Sequence, residues 1–370
     1  MNIKSLSELV PDCRSTKNQH YSTDSLVFIS IVSVLCGAET WEEIEYFGNT
    51  HYAYFKQRLP DLDGIPCHDT FNRFFSVLDI SWFEEAFRVW VGEICDRIPG
   101  VVAIDGKAVC PEKKGHGMKS KLYMVSAWAV ENGLCLGQEK VSGKSNEITA
   151  IPELIHALDL EGCIVTIDAV GCQKSITQAV LNAGADYILC VKDNQKNLKE
   201  KVSFNLSEDT RMYLANGKRY TQENRGHGRS ESRECVVVDF SKVADYLLPG
   251  WWGVKTLAMI TSIRQVKGEQ ETEEIRYYIS SLPNDPKLIL QSVRSHWQVE
   301  NNLHWQLDVS FREDDTRKTG NAAINFSAMS KVALMLLKQS KLKLGMAGKR
   351  KVCGWDEKFR DQVIGIELIK

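Results

Sequence analysis

The sequence lacks the features that would place a chain of 370 residues in a special class. Its net charge is only −2, so the overall balance does not point to a nucleic acid, and DNA binding would have to come from local basic patches. The 11 cysteines are scattered, and no two of them form a CxxC pair. This usage predicts reduced thiols in a cytosolic compartment, mostly as small core residues.

Long hydrophobic runs are also missing. The most apolar early stretch, SLVFISIVSVLCGA at 25–38, is shorter than the roughly 20 residues that cross a bilayer. It also lies far from the start and has no basic segment before it, so it does not resemble a signal peptide. We therefore expect no membrane partner and predict a buried helix here, capped within Ser22 to Asp24.

Composition and length are ordinary for a globular protein, with 43% hydrophobic and 25% charged residues. The first 95 residues predict helices. Within residues 64–79, GIPCHDTFNRFFSVLD, a capped helix would present Asn72 and Arg73 outward. A short helix, a turn and this second helix fit a helix-turn-helix DNA reader, and they fit a plain helical bundle equally well.

From about residue 97 the pattern changes to strands. The run VVAID at 101–105 is apolar and β-branched and ends in a carboxylate, which predicts a buried strand. Two further strands at 121–130 and 134–141 are joined by an Asn-Gly pair that is typical of a hairpin. Helices and strands then alternate, with a helix at 146–160, a strand at 163–168, a helix at 173–183 and a strand at 186–192.

This order predicts an α/β protein with a mixed sheet covered by helices, the arrangement of an RNase H-like fold. Charged loops and strands then predict a β-rich insertion, and a long helix is expected over 288–309. We predict an N-terminal helical domain at residues 1–95 and an RNase H-like catalytic domain at residues 96–340. The catalytic domain would contain the insertion at about 195–286, and a basic tail would follow at residues 341–370.

Three carboxylates in this arrangement suggest a metal site. Asp105 and Asp168 end strands that would be neighbours, and Glu300 lies on the long helix that would pack across them. Such carboxylates repel one another unless cations lie between them, and oxygen ligands favour Mg²⁺ or Mn²⁺. Two such ions, roughly 3.5–4 Å apart, can activate an attacking oxygen and stabilise a leaving oxygen in phosphodiester chemistry.

The long helix leaves alternatives open. His296, Glu300 and His304 are spaced by four residues and could bind zinc, although the sequence has no HExxH pattern. Trp297 and Trp305 could stack on DNA bases or belong to the core. Four other acids could replace Glu300 as the third ligand: Asp308, Glu313, Asp314 and Asp315.

Basic residues near the acids are candidates for contacts with DNA phosphates. Their common property is a position close in sequence to an acid or to a core strand. The DNA-binding candidates are Lys107, Arg225, Arg229, Arg294 and His296, with further basic groups at Lys113, Lys114, Lys119, Lys121, Lys192, Lys196, His227 and Arg233. We interpret GHGR at 226–229 as a loop, and its lack of Walker A spacing excludes a P-loop.

Several motifs together resemble a known family. AIDGK, VTIDAVGCQ, VKDNQ, ENRGHGRSESR and above all SHWQVENNLHWQLDVSFREDDTR are similar to the H-repeat-associated, ISAs-type bacterial transposase-like proteins, which belong to the DDE transposases of insertion sequences. The stretch from DCRSTKNQHYSTDS to WEEIEYFG resembles the helical region associated with that catalytic domain.

The resemblance implies an RNase H-like core and Mg²⁺-dependent cleavage and strand transfer on double-stranded DNA. It also implies a homodimer in the DNA complex and a bacterial cytoplasmic location, associated with the nucleoid when bound to DNA. The family's acids correspond to Asp105, Asp168 and Glu300.

In the broader insertion-sequence class, the catalytic Glu often has a Tyr seven residues before it, an Arg four residues before it and a Lys seven residues after it. In this sequence the corresponding residues are Val293, His296 and Leu307. A protonated His296 could still contact a phosphate, but Leu307 could not. The sequence therefore leaves two alternatives to a transposase: an RNase H-like nuclease without strand transfer, and an inactive or domesticated DNA-binding remnant.

Overall fold

The computed structural model describes residues 3–14, 19–94, 100–110, 122–141, 147–207, 217–226, 229–241, 247–266 and 270–365. Some of the basic candidates lie outside these ranges, namely Lys113, Lys114, Lys119, Lys121 and His227.

The N-terminal part is helical, as predicted. Its helices are α1 (Ile3–Leu9), α2 (Thr23–Leu35), α3 (Trp41–Thr50), α4 (Tyr52–Arg58), α5 (His68–Val77) and α6 (Ile80–Ile94). The predicted cap of α2 is confirmed, because the Ser22 side chain accepts a hydrogen bond of 3.1 Å from the backbone N–H of Ser25. Nearly all of α2 is buried, which is why its sequence is apolar on every face.

Helix α5 buries its aromatic side and exposes its polar side. Phe71, Phe74 and Phe75 are buried, whereas Asn72 and Arg73 are exposed, as the sequence predicts. Whether these two side chains read DNA stays a prediction.

The described strands form one nine-stranded sheet in the order β3-β2-β1-β4-β5-β9-β8-β7-β6. They are β1 (Val101–Cys110), β2 (Leu122–Ala129), β3 (Leu134–Val141), β4 (Ile164–Ile167), β5 (Asp186–Val191), β6 (Lys218–Gly226), β7 (Arg229–Asp239), β8 (Thr256–Val266) and β9 (Thr272–Ser280). Strands β1, β4 and β5 are parallel, and the remaining pairs are antiparallel. The predicted mixed sheet and RNase H-like strand order are confirmed.

The strands of the β-rich insertion extend the core sheet, since β9 pairs with β5. Strand β6 is not among the strands that the sequence predicts, and the middle of the predicted GHGR loop, 227–228, lies outside the described residues. Strand β6, KRYTQENRG, is an edge strand with mostly exposed side chains, so it carries no alternation of apolar and polar residues to reveal it.

Helices cover the sheet between and after these strands. They are α7 (Glu147–His156), α8 (Lys174–Asn182), α9 (Lys196–Asn205), α10 (Pro286–Val299), α11 (Trp305–Phe311), α12 (Gly320–Gln339), α13 (Met346–Trp355) and α14 (Glu357–Ile364). The predicted long helix is present as α10 and α11, joined without a break by a π-helical turn over Glu300–His304. Asp285 caps it by accepting from the backbone N–H groups of Lys287 and Leu288.

Helix α12 lies at the centre of the molecule and packs against α2, α5 and β1. One hydrophobic cluster therefore joins the N-terminal helices to the sheet. The Asn325 side chain strengthens this packing by donating to the carbonyl oxygens of Phe75 and Leu78. The division of the chain at residue 95 stays a prediction, but the helices before it share their core with α12.

The described part of the predicted basic tail over 341–370 forms α13 and α14, which are folded against the body of the protein. The division of the chain at residue 341 stays a prediction. Lys349 Nζ donates to the carbonyl oxygens of Leu337 and Ser340, each at 3.0 Å. Arg350 donates to the carbonyl oxygen of Val34 at 2.9 Å. These cations are buried and serve carbonyl oxygens, so they are not a solvated surface for DNA. None of the described helices has both the length and the apolar content to cross a bilayer.

A buried acid connects α6 to the sheet. The Glu84 side chain is 5% exposed, and Lys331 of α12 donates to Gln138 of β3 beside it. Burial and the charge of Glu139 raise the pKa of Glu84 to about 8, against the opposing effects of Gln138, Lys331 and Arg88. Glu84 therefore holds a proton at neutral pH in the folded chain.

This raised pKa predicts a pH-dependent stability. The folded state keeps the Glu84 proton up to about pH 8, whereas an unfolded Glu loses it near its ordinary value. The free energy of unfolding should fall as the pH rises between these two values. The substitution Glu84→Gln should flatten that fall and raise the stability at pH 8, as measured by urea unfolding at a series of pH values. An unchanged pH dependence in this variant would contradict the argument.

Candidate active site

Two parallel strands bring Asp105 and Asp168 side by side. In the register of β1 and β4, Ile104 lies opposite Ile167, and the residue that follows each of them is an aspartate, Asp105 or Asp168. Adjacent strands are about 4.8 Å apart, which places the two carboxylates as close neighbours. The sequence analysis expected β1 to end at Asp105, but β1 continues to Cys110 because its other edge stays paired with β2 beyond that point.

Backbone N–H groups fix both carboxylates locally. Asp105 Oδ1 accepts from the N–H of Gly106 at 2.9 Å. Asp168 Oδ1 accepts from the N–H groups of Val170 at 3.0 Å and Gly171 at 3.4 Å. The turn after β4 therefore holds Asp168 at the end of its strand.

The third predicted acid, Glu300, lines one cavity together with Asp105 and Asp168. Glu300 begins the π-helical turn directly after α10, a helix that packs across β1 and β4. Asp105, Asp168 and Glu300 all line a cavity of about 190 Å³. Its wall also includes Thr166, Cys190, Lys192, Arg276, Tyr278, His296 and Trp297.

The cavity is electrostatically strained. Burial raises the pKa of Asp105 to about 7, and the charges of Asp168, Glu300 and Glu147 add to this rise, while the N–H of Gly106 opposes it. The acids thus repel one another, and a cation placed between them would relieve that repulsion.

Glu147 is a fourth acid at this junction, and it is not among the site residues that the sequence predicts. It is the first residue of α7, and burial together with the charge of Asp168 raises its pKa. Its carboxylate lies directly over Gly106, where an added Cβ would be 2.4 Å from Glu147 Oε1. The signal in the sequence is the glycine after Asp105, which leaves room for that carboxylate.

The His296 side chain contacts Thr166 of the neighbouring strand β4. Its Nδ1 lies 3.1 Å from Thr166 Oγ1 on β4. Burial lowers the pKa of His296, and the charge of Asp168 opposes this effect. His296 lines the same cavity as the three acids, and its contact with a DNA phosphate stays a prediction.

His304 contacts the first acid instead. Its Nδ1 lies 3.4 Å from Asp105 Oδ2, and its side chain is 8% exposed. Burial and the positive charges of Lys331 and Lys107 lower its pKa to about 3, so this ring is neutral.

The described residues contain no group of three His, Cys, Asp or Glu side chains already gathered closely enough to hold a metal ion. The zinc arrangement of His296, Glu300 and His304 is not formed, since the two rings face Thr166 and Asp105. The three acids line one cavity, but their carboxylate oxygens are not gathered around a single point. Their oxygen-only donor set and unbalanced negative charge nevertheless have the chemistry that suits a hard divalent cation.

Lys107 does not have the exposed position of a phosphate contact, which corrects the sequence-based assignment. Its Nζ donates to Asp308 and, at 2.8 Å, to Glu313 Oε2, and its side chain is 13% exposed. Lys107 thus pairs with two of the four acids that were considered as alternatives to Glu300, and it lies 3.9 Å from a third, Asp314. Asp315 pairs with Arg312 at 3.0 Å. Among the acids considered on this helix and the turn after it, Glu300 is the one that lines the cavity.

The other basic candidates separate into two groups. Arg225 lies near the end of β6 and Arg229 begins β7, and both are exposed. Arg294 instead donates to Gln222 of β6 at 2.7 Å and holds that hairpin against α10. The assignment of Arg294 as a DNA contact stays a prediction.

The rim of the cavity carries a cation that the sequence analysis did not consider. The Arg276 guanidinium lies 5.0 Å from the centre of the Trp297 ring, and both residues line the cavity. Trp297 and Trp305 are 47% and 54% exposed, so neither is a core residue. Lys192, at the end of β5, is a second cation in the cavity wall.

The ion pairs of Lys107 predict a large effect on stability. Lys107→Met should leave the buried Glu313 without this cation and lower the free energy of unfolding by roughly 3–5 kcal/mol in urea titrations. The double change Lys107→Met with Glu313→Gln should recover part of that loss, because it removes the uncompensated charge. As a matched control, Lys199→Met removes an exposed lysine paired with Asp193 and should leave the free energy of unfolding almost unchanged, because a surface ion pair contributes little to stability. Equal losses for the two lysines would refute the assignment.

With this geometry in hand, comparison with known proteins identifies the family. Residues 96–337 match the model described as Transposase DDE domain, and residues 4–91 match the model described as DDE_Tnp_1-associated. The chain belongs to the DDE transposase family. The resemblance to the H-repeat-associated proteins is thereby confirmed.

Relatives of this DDE family member include transposase-like proteins of Escherichia coli. YncI of strain O157:H7, provisionally named a transposase, is 37% identical over 98% of this chain and 95% of its own. YhhI of strain K12, provisionally named an H repeat-associated transposase, is 36% identical over 98% of both chains. YbfQ of strain K12, named an inactive transposase, is 38% identical over 20% of this chain and 94% of its own.

Among solved structures, a piggyBac transposase in a synaptic complex with hairpin DNA aligns with 100% of this chain and 82% of its own. The TM-score is 0.42 and the sequence identity is 10%.

Proposed function

We propose that this DDE family member cleaves DNA at the ends of an insertion sequence and joins those ends to target DNA, in a reaction that depends on divalent metal ions. The observation that carries the proposal is the cavity where Asp105, Asp168 and Glu300 face one another from β1, β4 and the π-helical turn. Family membership supplies the class of reaction.

The acids have the character of ligands for Mg²⁺ or Mn²⁺. Asp105, Asp168 and Glu300 would hold the ions, two in number, because their oxygens are the donors that such ions prefer. Burial raises the pKa of Asp105, and the charges of Asp168, Glu300 and Glu147 add to this rise. When bound, such ions activate the attacking oxygen and stabilise the leaving one. The chain itself needs no nucleophilic side chain for this chemistry.

The groups around the acids fit a phosphodiester substrate. Lys192 places positive charge in the cavity wall, where it would attract a DNA phosphate, and Arg276, which pairs with Glu274 at 2.7 Å, lines the same cavity. Arg225 and Arg229 place further charge on the exposed ends of β6 and β7. We propose double-stranded DNA as the partner, both element ends and target, bound by a homodimer in the bacterial cytoplasm and nucleoid.

A second function, that of an inactive DNA-binding remnant, is favoured by one observation. Leu307 occupies the position where the broader class often has a lysine, and its side chain is fully buried. A test with Mg²⁺ and DNA flanking the coding region separates the possibilities. Joined products support the transposase, nicks alone support a nuclease, and salt-sensitive binding without cleavage supports the remnant.

The central test is Asp168→Asn. This variant should lose cleavage in Mg²⁺ while it binds end DNA almost as well as the wild type, because the change removes a ligand charge and keeps the shape. Cleavage would be followed on labelled DNA and binding by gel shift.

Asp193→Asn is the matched control. Asp193 follows the neighbouring strand β5, but its side chain is 79% exposed, pairs with Lys199 and does not line the cavity. The control should cleave at the wild-type rate. Wild-type cleavage by Asp168→Asn itself would overturn the metal-ligand assignment.

The hairpin arginines make a separate prediction. Arg225→Ala with Arg229→Ala should weaken DNA binding and reduce the slope of log K against log salt by about 0.9 for each phosphate that is no longer neutralised. Arg225→Lys with Arg229→Lys keeps both charges and should keep most of the slope. An unchanged slope in the alanine pair, measured by fluorescence anisotropy at several salt concentrations, would place the DNA elsewhere.

A further inference from the structure

Strand β1 meets the helix that carries Glu300 through two side chains at matched spacing. Asp105 and Lys107 point to the same side of the strand, about 6.6 Å apart along it. Their partners, His304 and Asp308, are four residues apart on the helix, which corresponds to a rise of about 6 Å. The spacing of the two side chains along the strand therefore matches the spacing of their partners along the helix. Asp105 contacts His304, and Lys107 contacts Asp308.

The π-helical turn makes this register possible. In a regular α-helix, eight residues turn about 80° beyond two full turns, so Glu300 and Asp308 would face different directions. The extra residue of a π turn removes about 100° of that rotation and brings the two side chains within about 20° of each other. Glu300 can thus face the cavity while Asp308, further along the helix, contacts Lys107 of β1.

His304 lies inside this turn and faces Asp105. Its Nδ1 is 3.4 Å from Asp105 Oδ2, slightly longer than a hydrogen bond. Among the described residues, its buried Nε2 has no hydrogen-bond partner. A proton on Nδ1 meets a carboxylate, whereas a proton on Nε2 would be buried without an acceptor, so the Nδ1–H tautomer is favoured.

Asp105 needs such a contact because like charges surround it. Its Oδ1 is held by the N–H of Gly106. Glu147 lies over that same glycine, and Asp168 and Glu300 face the same cavity, so the carboxylate is repelled from several sides. An N–H group directed at Oδ2 opposes that repulsion and fixes the rotation of the carboxylate.

We propose that His304 is a positioning residue that orients the Asp105 carboxylate toward the cavity and so raises the affinity of the acids for a divalent cation. The inference rests on the proposed function, since it assumes that Asp105 is a metal ligand. Hydrogen-bond partners of ligating carboxylates commonly change metal affinity by about 10- to 100-fold when they are removed.

The test is the binding of Mn²⁺ to the full chain without DNA, measured by titration calorimetry for the wild type and two variants. In His304→Asn the amide N–H group can take the place of Nδ1, whereas in His304→Gln it extends to the place of Nε2. We expect His304→Asn to bind Mn²⁺ almost as tightly as the wild type, and His304→Gln to bind about 10- to 100-fold more weakly. Both substitutions keep a polar, uncharged side chain, so a general effect on folding would affect the two alike.

Two further variants interpret the result. His68→Gln removes a histidine whose Nδ1 lies 2.7 Å from Glu45, a similar contact far from the cavity, and should leave Mn²⁺ affinity unchanged. Asp168→Asn should abolish high-affinity binding. If His304→Gln binds as tightly as the wild type, or if Asn and Gln weaken binding equally, the positioning role is overturned while the metal site stands. If the wild type and Asp168→Asn bind Mn²⁺ equally weakly, the proposed function fails and the inference with it.

Discussion

Mutual repulsion between carboxylates at the junction of β1, β4 and α10 is the constraint around which the rest of the site is built. Asp105, Asp168, Glu300 and Glu147 meet there, and the unfavourable free energy of holding them together must be opposed locally. Backbone N–H groups of Gly106, Val170 and Gly171 supply part of that opposition. A divalent cation bound between these carboxylates would gain free energy by offsetting their repulsion.

The surrounding sheet and helices provide rigidity for this arrangement. Asp105 lies in the middle of a strand paired on both sides near its start, and Glu300 lies on a helix fixed to that strand through Lys107 and Asp308. Elements of this kind hold side chains more firmly than loops do. The helix also contacts the β6–β7 hairpin through Arg294 and Gln222, so the acids and the exposed arginines belong to one continuous body.

Much of the fold and the central acids could be predicted because they depend on local patterns. The apolar runs before Asp105 and Asp168 predict adjacent parallel strands, and parallel neighbours necessarily bring their acids together. The failures are of another kind. Lys107 was assigned to DNA because its partners, Asp308 and Glu313, are more than 200 residues away, and Glu147 was missed because only packing places it over Gly106. Likewise, the charges of Lys349 and Arg350 gave no sign that carbonyl oxygens inside the protein would accept from them.

The π-helical turn over Glu300–His304 has a consequence for how this chain can vary in length. A deletion of one residue between Glu300 and His304 would convert the turn to a regular α-helix, which is the more favourable local geometry. The seven steps then left between Glu300 and Asp308 would turn about 700°, the same rotation that the eight steps make with the π turn. Asp308 would therefore keep its direction toward Lys107 while Glu300 keeps facing the cavity. The segment can thus lose one residue without changing the register, whereas rewinding it as a regular α-helix at its present length would rotate Asp308 by about 100°.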